Sequence, residues 1–167
     1  MQILVSDTSV LVDLERAGLL REAFALPLEL GVPDVLYTRE LQDFGGAALA
    51  ELGLRIEELD AGGVQLAQDY RRQKPGLSVP DAFALALART RGWALLAGDA
   101  LLRAHAEAEH VECHGVLWLI DLMHEHAIGD PKTLYDGLHR LSTHPRCRLP
   151  KREMRTRLEL YAWLAGR

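Results

Sequence analysis

Four acidic residues stand where a folded chain could gather carboxylates for metal-assisted chemistry. Asp7 and Asp99 each close a short apolar run, Ile3 to Ser6 and Trp93 to Ala97, while Glu40 and Asp81 each fall in the first turn of an expected helix. Carboxylates gathered at one place repel one another, so they stay ionised together only when a cation compensates them. An all-oxygen donor set suits Mg²⁺ or Mn²⁺. Such an ion can lower the pKa of a bound water, polarise a phosphodiester and, if two ions bind, steady the attacking and leaving oxygens. The reaction these residues point to is hydrolytic phosphodiester cleavage, which needs no serine, cysteine or histidine nucleophile. No GxSxG, P-loop or GxGxxG pattern competes with it. An acid in a first helical turn commonly serves only the helix dipole, worth about 0.3–1 kcal/mol at an exposed site. An aspartate ending an apolar strand has no comparably common structural duty, so Asp7 and Asp99 strengthen each other.

The elements that must position these acids follow from periodicity. Ile3 to Ser6 reads as a strand, and Val10, Leu11 and Leu14 continue at helical spacing. A second strand is expected over about Val32 to Tyr37, with Thr38 capping a helix that carries Glu40, Leu41 and Phe44 and is weakened by Gly45-Gly46. Leu54 to Leu59 alternates as a half-buried strand does. The Ala61-Gly62-Gly63 turn then leads into a helix through Val64, Ala67 and Tyr70. Ser78, Pro80 and Asp81 together announce a helix start, and that helix is expected to run to about Thr90. Trp93 to Ala97 forms the next strand, Leu101, Leu102 and Ala106 resume a helical pattern, and a short strand lies near Val111 to Cys113. From Gly115 the chain reads as helical: Val116 to His126, Pro131 to about Ser142, and Pro150 to Ala165. Strands alternating with helices of this length predict right-handed crossovers, a mainly parallel sheet and an α/β fold. In such a sheet function collects at the carboxyl edge, which all four acids can reach.

The 167 residues suit one domain, expected as a body over 1–143 with a basic helical extension of the same domain over 144–167. Apolar residues make up 49% and charged residues 26%, as in a folded rather than a disordered chain. Cys113 and Cys147 are too few for a disulfide framework. No export signal and no apolar run of membrane-spanning length is seen, so a cytoplasmic, non-membrane protein is expected. The net charge of −5 is uneven: from Arg146 onward the balance is +5, and over the rest it is −10. An acidic body accords with a cation site, and a basic tail with a polyanionic or acidic partner.

The stretches Leu4-Val5-Ser6-Asp7-Thr8-Ser9, Thr38-Arg39-Glu40-Leu41, Ser78-Val79-Pro80-Asp81-Ala82 and Leu95-Leu96-Ala97-Gly98-Asp99, in that order, resemble the PIN-domain family over about Met1 to Cys113. The resemblance implies a three-layer α/β/α fold with a mainly parallel central sheet, here carrying a helical C-terminal extension. It implies a Mg²⁺- or Mn²⁺-dependent endoribonuclease, in bacteria most often a VapC-type toxin restrained by a cognate antitoxin, and it favours a homodimer. By the same resemblance Asp7, Glu40, Asp81 and Asp99 are the catalytic metal ligands, and Ser9 orients Asp7 or a bound water. One position departs from the family's pattern: Ala97 stands where members often carry threonine or serine, so no hydroxyl there supports the fourth carboxylate.

Other constellations carry less. His124 and His126, with Cys113 and His114, suggest zinc, but residues two apart on a helix point in different directions. A haloacid-dehalogenase-type phosphatase needs an acid where Ser9 stands, and a receiver domain needs paired acids and a late lysine that Gly98-Asp99-Ala100 does not supply. The main alternative is a non-catalytic member of the same fold that binds RNA or a protein. In the basic stretch, Arg148, Lys151, Arg152 and Arg155 are candidate contacts to RNA phosphates, while Met154, Leu158 and Tyr161 recur at the spacing of an apolar stripe.

Overall fold

The computed structural model describes residues 1–166 of the chain. The opening apolar run forms β1 (Gln2–Ser6), in which Leu4 and Val5 are fully buried. Together with β2 (Leu28–Pro33), β3 (Arg55–Glu57), β4 (Ala94–Leu96) and β5 (Cys113–His114) it makes a five-stranded sheet in the order β3-β2-β1-β4-β5. Every pairing is parallel, as helical crossovers require. Leu4 stands between Leu30 and Ala94, and Val5 between Gly31 and Leu95. The chain builds outward from β1 to β3 and then returns to lay β4 on the other side of β1. In open parallel sheets the crevice beyond the carboxyl ends of the two strands flanking such a reversal is where ligands bind. Asp7 follows β1, and Asp99 lies three residues beyond the end of β4.

The chain divides into two compact units: one of Met1–Val10 and Pro27–Gly115, the other of Leu11–Leu26 with the chain from Val116 onward. The whole sheet lies in the first, with α3 (Asp34–Leu36), α4 (Gly46–Leu52), α5 (Ala61–Gln73), α6 (Val79–Arg91) and α7 (Ala100–Ala108). α6 is fixed at its start by the Ser78 hydroxyl, which accepts the Asp81 N–H at 3.2 Å, and ends at Gly92, whose φ of +68° an L side chain would adopt only under strain. Its alanines 82, 84, 86 and 88 and Leu85 and Leu87 are all buried, the pattern of a helix enclosed on most sides. It packs on β1, β2 and β4 and against α5. At one sheet edge Arg55 of β3 pairs with Glu29 and Glu57, each at 2.7 Å, and lies with Arg91 over the Trp93 ring.

The second unit holds α2 (Leu20–Ala25), α8 (Val116–Glu125), α9 (Pro131–Thr143) and α10 (Lys151–Ala165), and the larger part of α1 (Thr8–Ala17). α8 packs against α2 and α9, and α10 against α9, so the expected extension over 144–167 groups with the helices before it. Met154 and Tyr161 are buried, the Tyr161 ring lying edge-on to His124 at 5.5 Å. Arg157 grips Asp121 through two hydrogen bonds of 2.8 and 2.7 Å.

The strand expected over Val32 to Tyr37 lies instead at Leu28–Pro33. Pro33 fixes the turn and Asp34, accepting the Val35 N–H at 2.8 Å, opens a helix, so the apolar Val35-Leu36 pair is helical. Thr38 is therefore no cap. α3 runs directly into a π-helical turn, Tyr37–Leu41, that carries Glu40. Gly45, at φ +90°, breaks this helix, and α4 begins at Gly46, where an added Cβ would sit 2.7 Å from the Leu41 carbonyl oxygen. The expected Ala61-Gly62-Gly63 turn is the first turn of α5, because Asp60 accepts the Gly63 N–H at 2.8 Å and caps it. The strands expected over Leu54 to Leu59 and Val111 to Cys113 are shorter or displaced, at Arg55–Glu57 and Cys113–His114.

His105 of α7 is 3% exposed, edge-on to Tyr70 at 4.9 Å, and its Nδ1 has no hydrogen-bond partner among the described residues. Burial holds its pKa below the ordinary value of 6.5; Glu109 opposes that and Lys74 adds to it. With the folded value depressed, the unfolded chain binds more protons at this group below about 6.5, so the stability contributed at His105 falls as pH drops through that region. His105→Leu should flatten this acid limb, read as urea midpoints from pH 7.5 to 5. A wild-type slope in the variant would remove the imidazole from the account.

Candidate metal site

The end of β1 is tied to the end of β4 through Asp7. Its backbone N–H donates to the Leu96 carbonyl at 2.8 Å. Its carboxylate, 2% exposed, accepts the Val10 N–H on Oδ1 at 2.9 Å, and on Oδ2 both the Ser9 hydroxyl at 2.8 Å and the Gly98 N–H at 3.0 Å. A Cβ at Gly98 would meet Ser9 Oγ at 2.6 Å, so a side chain there would have to displace the hydroxyl that donates to Asp7. Burial pushes the Asp7 pKa up, the bonds from Val10, Gly98 and Ser9 draw it back, and repulsion from Asp99 raises it again.

The other carboxylates arrive from three further elements. The π-helical turn presents Glu40, whose Oε1 accepts the Thr8 hydroxyl at 2.9 Å. The first turn of α6 presents Asp81, and the start of α7 presents Asp99, which caps that helix by accepting the Leu102 N–H at 2.9 Å. Asp99 is therefore fixed by its own helix, without a hydroxyl at position 97. All four acids line one cavity of ≈ 310 Å³, together with Thr8, Ser9 and Ser78. Asp81 registers the crowding: burial first, then Asp7, Asp99 and Glu40 push its pKa up to about 6, against a lowering hydrogen bond from Ser78.

Thr8 is the residue that sequence reasoning missed. It was visible only as a neighbour of Asp7, and its bond to Glu40 spans 32 positions, which no local pattern reveals. The basic candidates Arg148, Lys151, Arg152 and Arg155 are exposed and belong to the second unit, whereas every residue of the acidic cavity belongs to the first.

Among the described residues, no three His, Cys, Asp or Glu side chains are arranged to hold a metal ion by themselves. The donor set nevertheless fits a hard cation that takes one or two carboxylates directly and keeps water in its other positions, the habit of Mg²⁺. Among the described residues, those lining the cavity include no lysine or arginine to compensate the acids, and the repulsion raising the Asp81 pKa is what such an ion would relieve.

The family model described as DUF3368, PIN domain, matches residues 3–162. Among solved structures, a PilT N-terminus domain protein from the hyperthermophilic archaeon Sulfolobus solfataricus P2 is similar at a TM-score of 0.53 and 13% identity, covering 74% of this chain and 93% of that one. At that identity the likeness is one of fold. No curated protein matches the chain.

Proposed function

Because the chain belongs to the PIN-domain family, whose model spans nearly its whole length, we propose that it is a Mg²⁺- or Mn²⁺-dependent endoribonuclease and the toxin of a toxin–antitoxin pair. The PIN domain is typically a nuclease fold, and metal dependence is supported by one observation: Asp7, Glu40, Asp81 and Asp99 line a single cavity with no lysine or arginine among its described lining residues. In that reading one or two of these carboxylates would hold the metal directly and the others would hold its waters. When bound, the ion supplies an activated water and polarises the scissile phosphodiester.

The chain's own residues divide the remaining work. Asp7, held by three donors, is a fixed anchor whose two oxygens keep their direction. Glu40 is aimed by Thr8, and Asp99 by its cap on α7. Asp81 has no such set of donors beyond Ser78, and with no cation bound burial and the charges of Asp7, Asp99 and Glu40 raise its pKa to about 6, so its ionisation is what a bound cation would favour most. Four uncompensated carboxylates would repel a phosphodiester, so RNA and cation are expected to bind together. Among the described residues no helix is long and apolar enough to cross a membrane. A cytoplasmic site of action, a homodimer and a cognate antitoxin complete the proposal.

Purified protein incubated with total bacterial RNA and Mn²⁺ or Mg²⁺ should give discrete fragments that EDTA abolishes. If RNA stays intact and Mn²⁺ brings no gain in thermal stability, the chain is a non-catalytic binder of the same fold.

The aiming of Glu40 has its own consequence. Thr8→Val keeps the shape but removes the hydroxyl, and kcat/KM should fall by about 10-fold or more, within the 10–100-fold typical of losing a ligand's supporting bond. Thr8→Ser should recover most of it. Equal rates for Val and Ser at this position would show that the bond to Glu40 does not matter.

A further inference from the structure

The second unit contains a cavity that cleavage chemistry does not use. It has a volume of ≈ 440 Å³ and lies where the chain leaves α9 and enters α10. Part of its lining is apolar or soft: Cys147, Leu149, Met154 and Leu158. The Cys147 and Met154 sulfurs lie 3.8 Å apart. The rest includes Lys151 and Arg155, four residues apart on α10 and therefore neighbours on one helix face, both exposed. No carboxylate lines this cavity among the described residues. The segment it opens on carries the chain's positive charge, +5 from Arg146 onward against −10 elsewhere.

We propose that this cavity docks an acidic segment of a partner protein, which inserts one apolar side chain among Leu149, Met154 and Leu158 while its carboxylates meet Lys151 and Arg155. The charge names the sign of the partner, and the lining names its kind. A phosphate backbone would use the cations but leave the apolar lining empty. A nucleobase would want an aromatic face to stack on, and the cavity offers aliphatic and sulfur groups instead. Tyr161, the aromatic next along the helix stripe, is buried against His124. Arg157 is likewise committed to Asp121, which leaves Lys151 and Arg155 as the cations that border the cavity. The unbranched thioether of Met154 lets such a cavity accept anchors of different shape. The proposal is independent of whether the acidic site of the first unit cleaves RNA.

Cys147 makes the site self-reporting, because whatever fills the cavity shields its thiol. The experiment is alkylation of the intact protein by iodoacetamide, with modification of Cys147 and Cys113 followed separately by mass spectrometry. Three probes are compared: a synthetic peptide with glutamates and leucines at helical spacing, an all-glutamate peptide of equal charge, and a single-stranded oligoribonucleotide of equal charge. At a concentration ten times its Kd, the Glu/Leu peptide should slow Cys147 modification by about tenfold, since only the unoccupied fraction reacts, and should leave Cys113 unchanged. The all-glutamate peptide should protect far less. Charge reversal at the exposed pair, Lys151→Glu with Arg155→Glu, should abolish protection, and added salt should weaken it in the wild type. Protection by the oligoribonucleotide equal to that by the Glu/Leu peptide would overturn the proposal in favour of RNA. Failure of the Glu/Leu peptide to protect, or protection indifferent to charge reversal, would overturn it outright.

Discussion

Asp7→Asn is expected to lower RNA cleavage by more than about 100-fold, beyond the 10–100-fold typical of changes one bond removed from a metal. It removes the anionic charge at the carboxyl end of β1, the central strand of the sheet. It should also loosen the fold, because three donors aim at this carboxylate and an asparagine has only one oxygen to offer them. Whichever way the amide turns, at least one N–H or O–H meets an NH₂ group. A buried donor left unmet costs about 1–3 kcal/mol. Single-turnover cleavage with Mn²⁺ and urea unfolding of the same preparation would separate the two effects. Cleavage within tenfold of wild type by a folded Asp7→Asn protein would remove Asp7 from the chemistry.

Asp81→Asn should lose activity to a similar degree yet gain stability when metal is absent. The folded pKa of about 6 lies above the ordinary 3.8. Across that window the folded chain holds a proton that the unfolded chain has released, so stability declines as pH rises and the deficit is complete above about 6. The neutral amide escapes it. A tenfold change in proton affinity corresponds to about 1.4 kcal/mol, and because the carboxyl is partly open to solvent, screening should leave a gain of about 1 kcal/mol at neutral pH. In EDTA at pH 7.5 the variant should melt above wild type, the two should converge near pH 4, and saturating Mn²⁺ should reverse the order by binding the wild type alone. An Asp81→Asn protein less stable than wild type in EDTA would mean that the four acids do not burden one another as the cavity implies.

The contrast between these two aspartates also shows what a sequence can convey. That Asp7 and Asp99 end up beside each other was legible, because each follows an apolar strand and parallel strands point their carboxyl ends the same way. The start of α6 was legible too, since Ser78, Pro80 and Asp81 form a local signal that the structure realises with one hydrogen bond. The region around Glu40 was harder. Its apolar residues Val35 and Leu36 fit strand and helix equally well over so short a run. The outcome was decided by Pro33 and Asp34, and by a π-helical turn for which sequence has no dependable signature. Glu40 still reaches the cavity, but from an element different from the Thr38-capped helix expected. The bonds that aim the carboxylates, Gly98 to Asp7 across 91 positions and Thr8 to Glu40 across 32, exist only once the sheet has assembled.

The sheet's two margins bear on how the protein behaves in a crowded solution. A strand at the edge of a sheet offers unpaired backbone groups to any other chain with a strand to add. Here one edge is the three-residue β3, with Arg55 and Glu57 locked into ion pairs, and the other is the two-residue β5, where His114 pairs with Glu112 at 2.7 Å. Neither offers a ladder long enough to template amyloid-like growth, and each would have to bury charge to do so. The sheet should therefore resist edge-to-edge growth and seeding by preformed fibrils for as long as it stays intact.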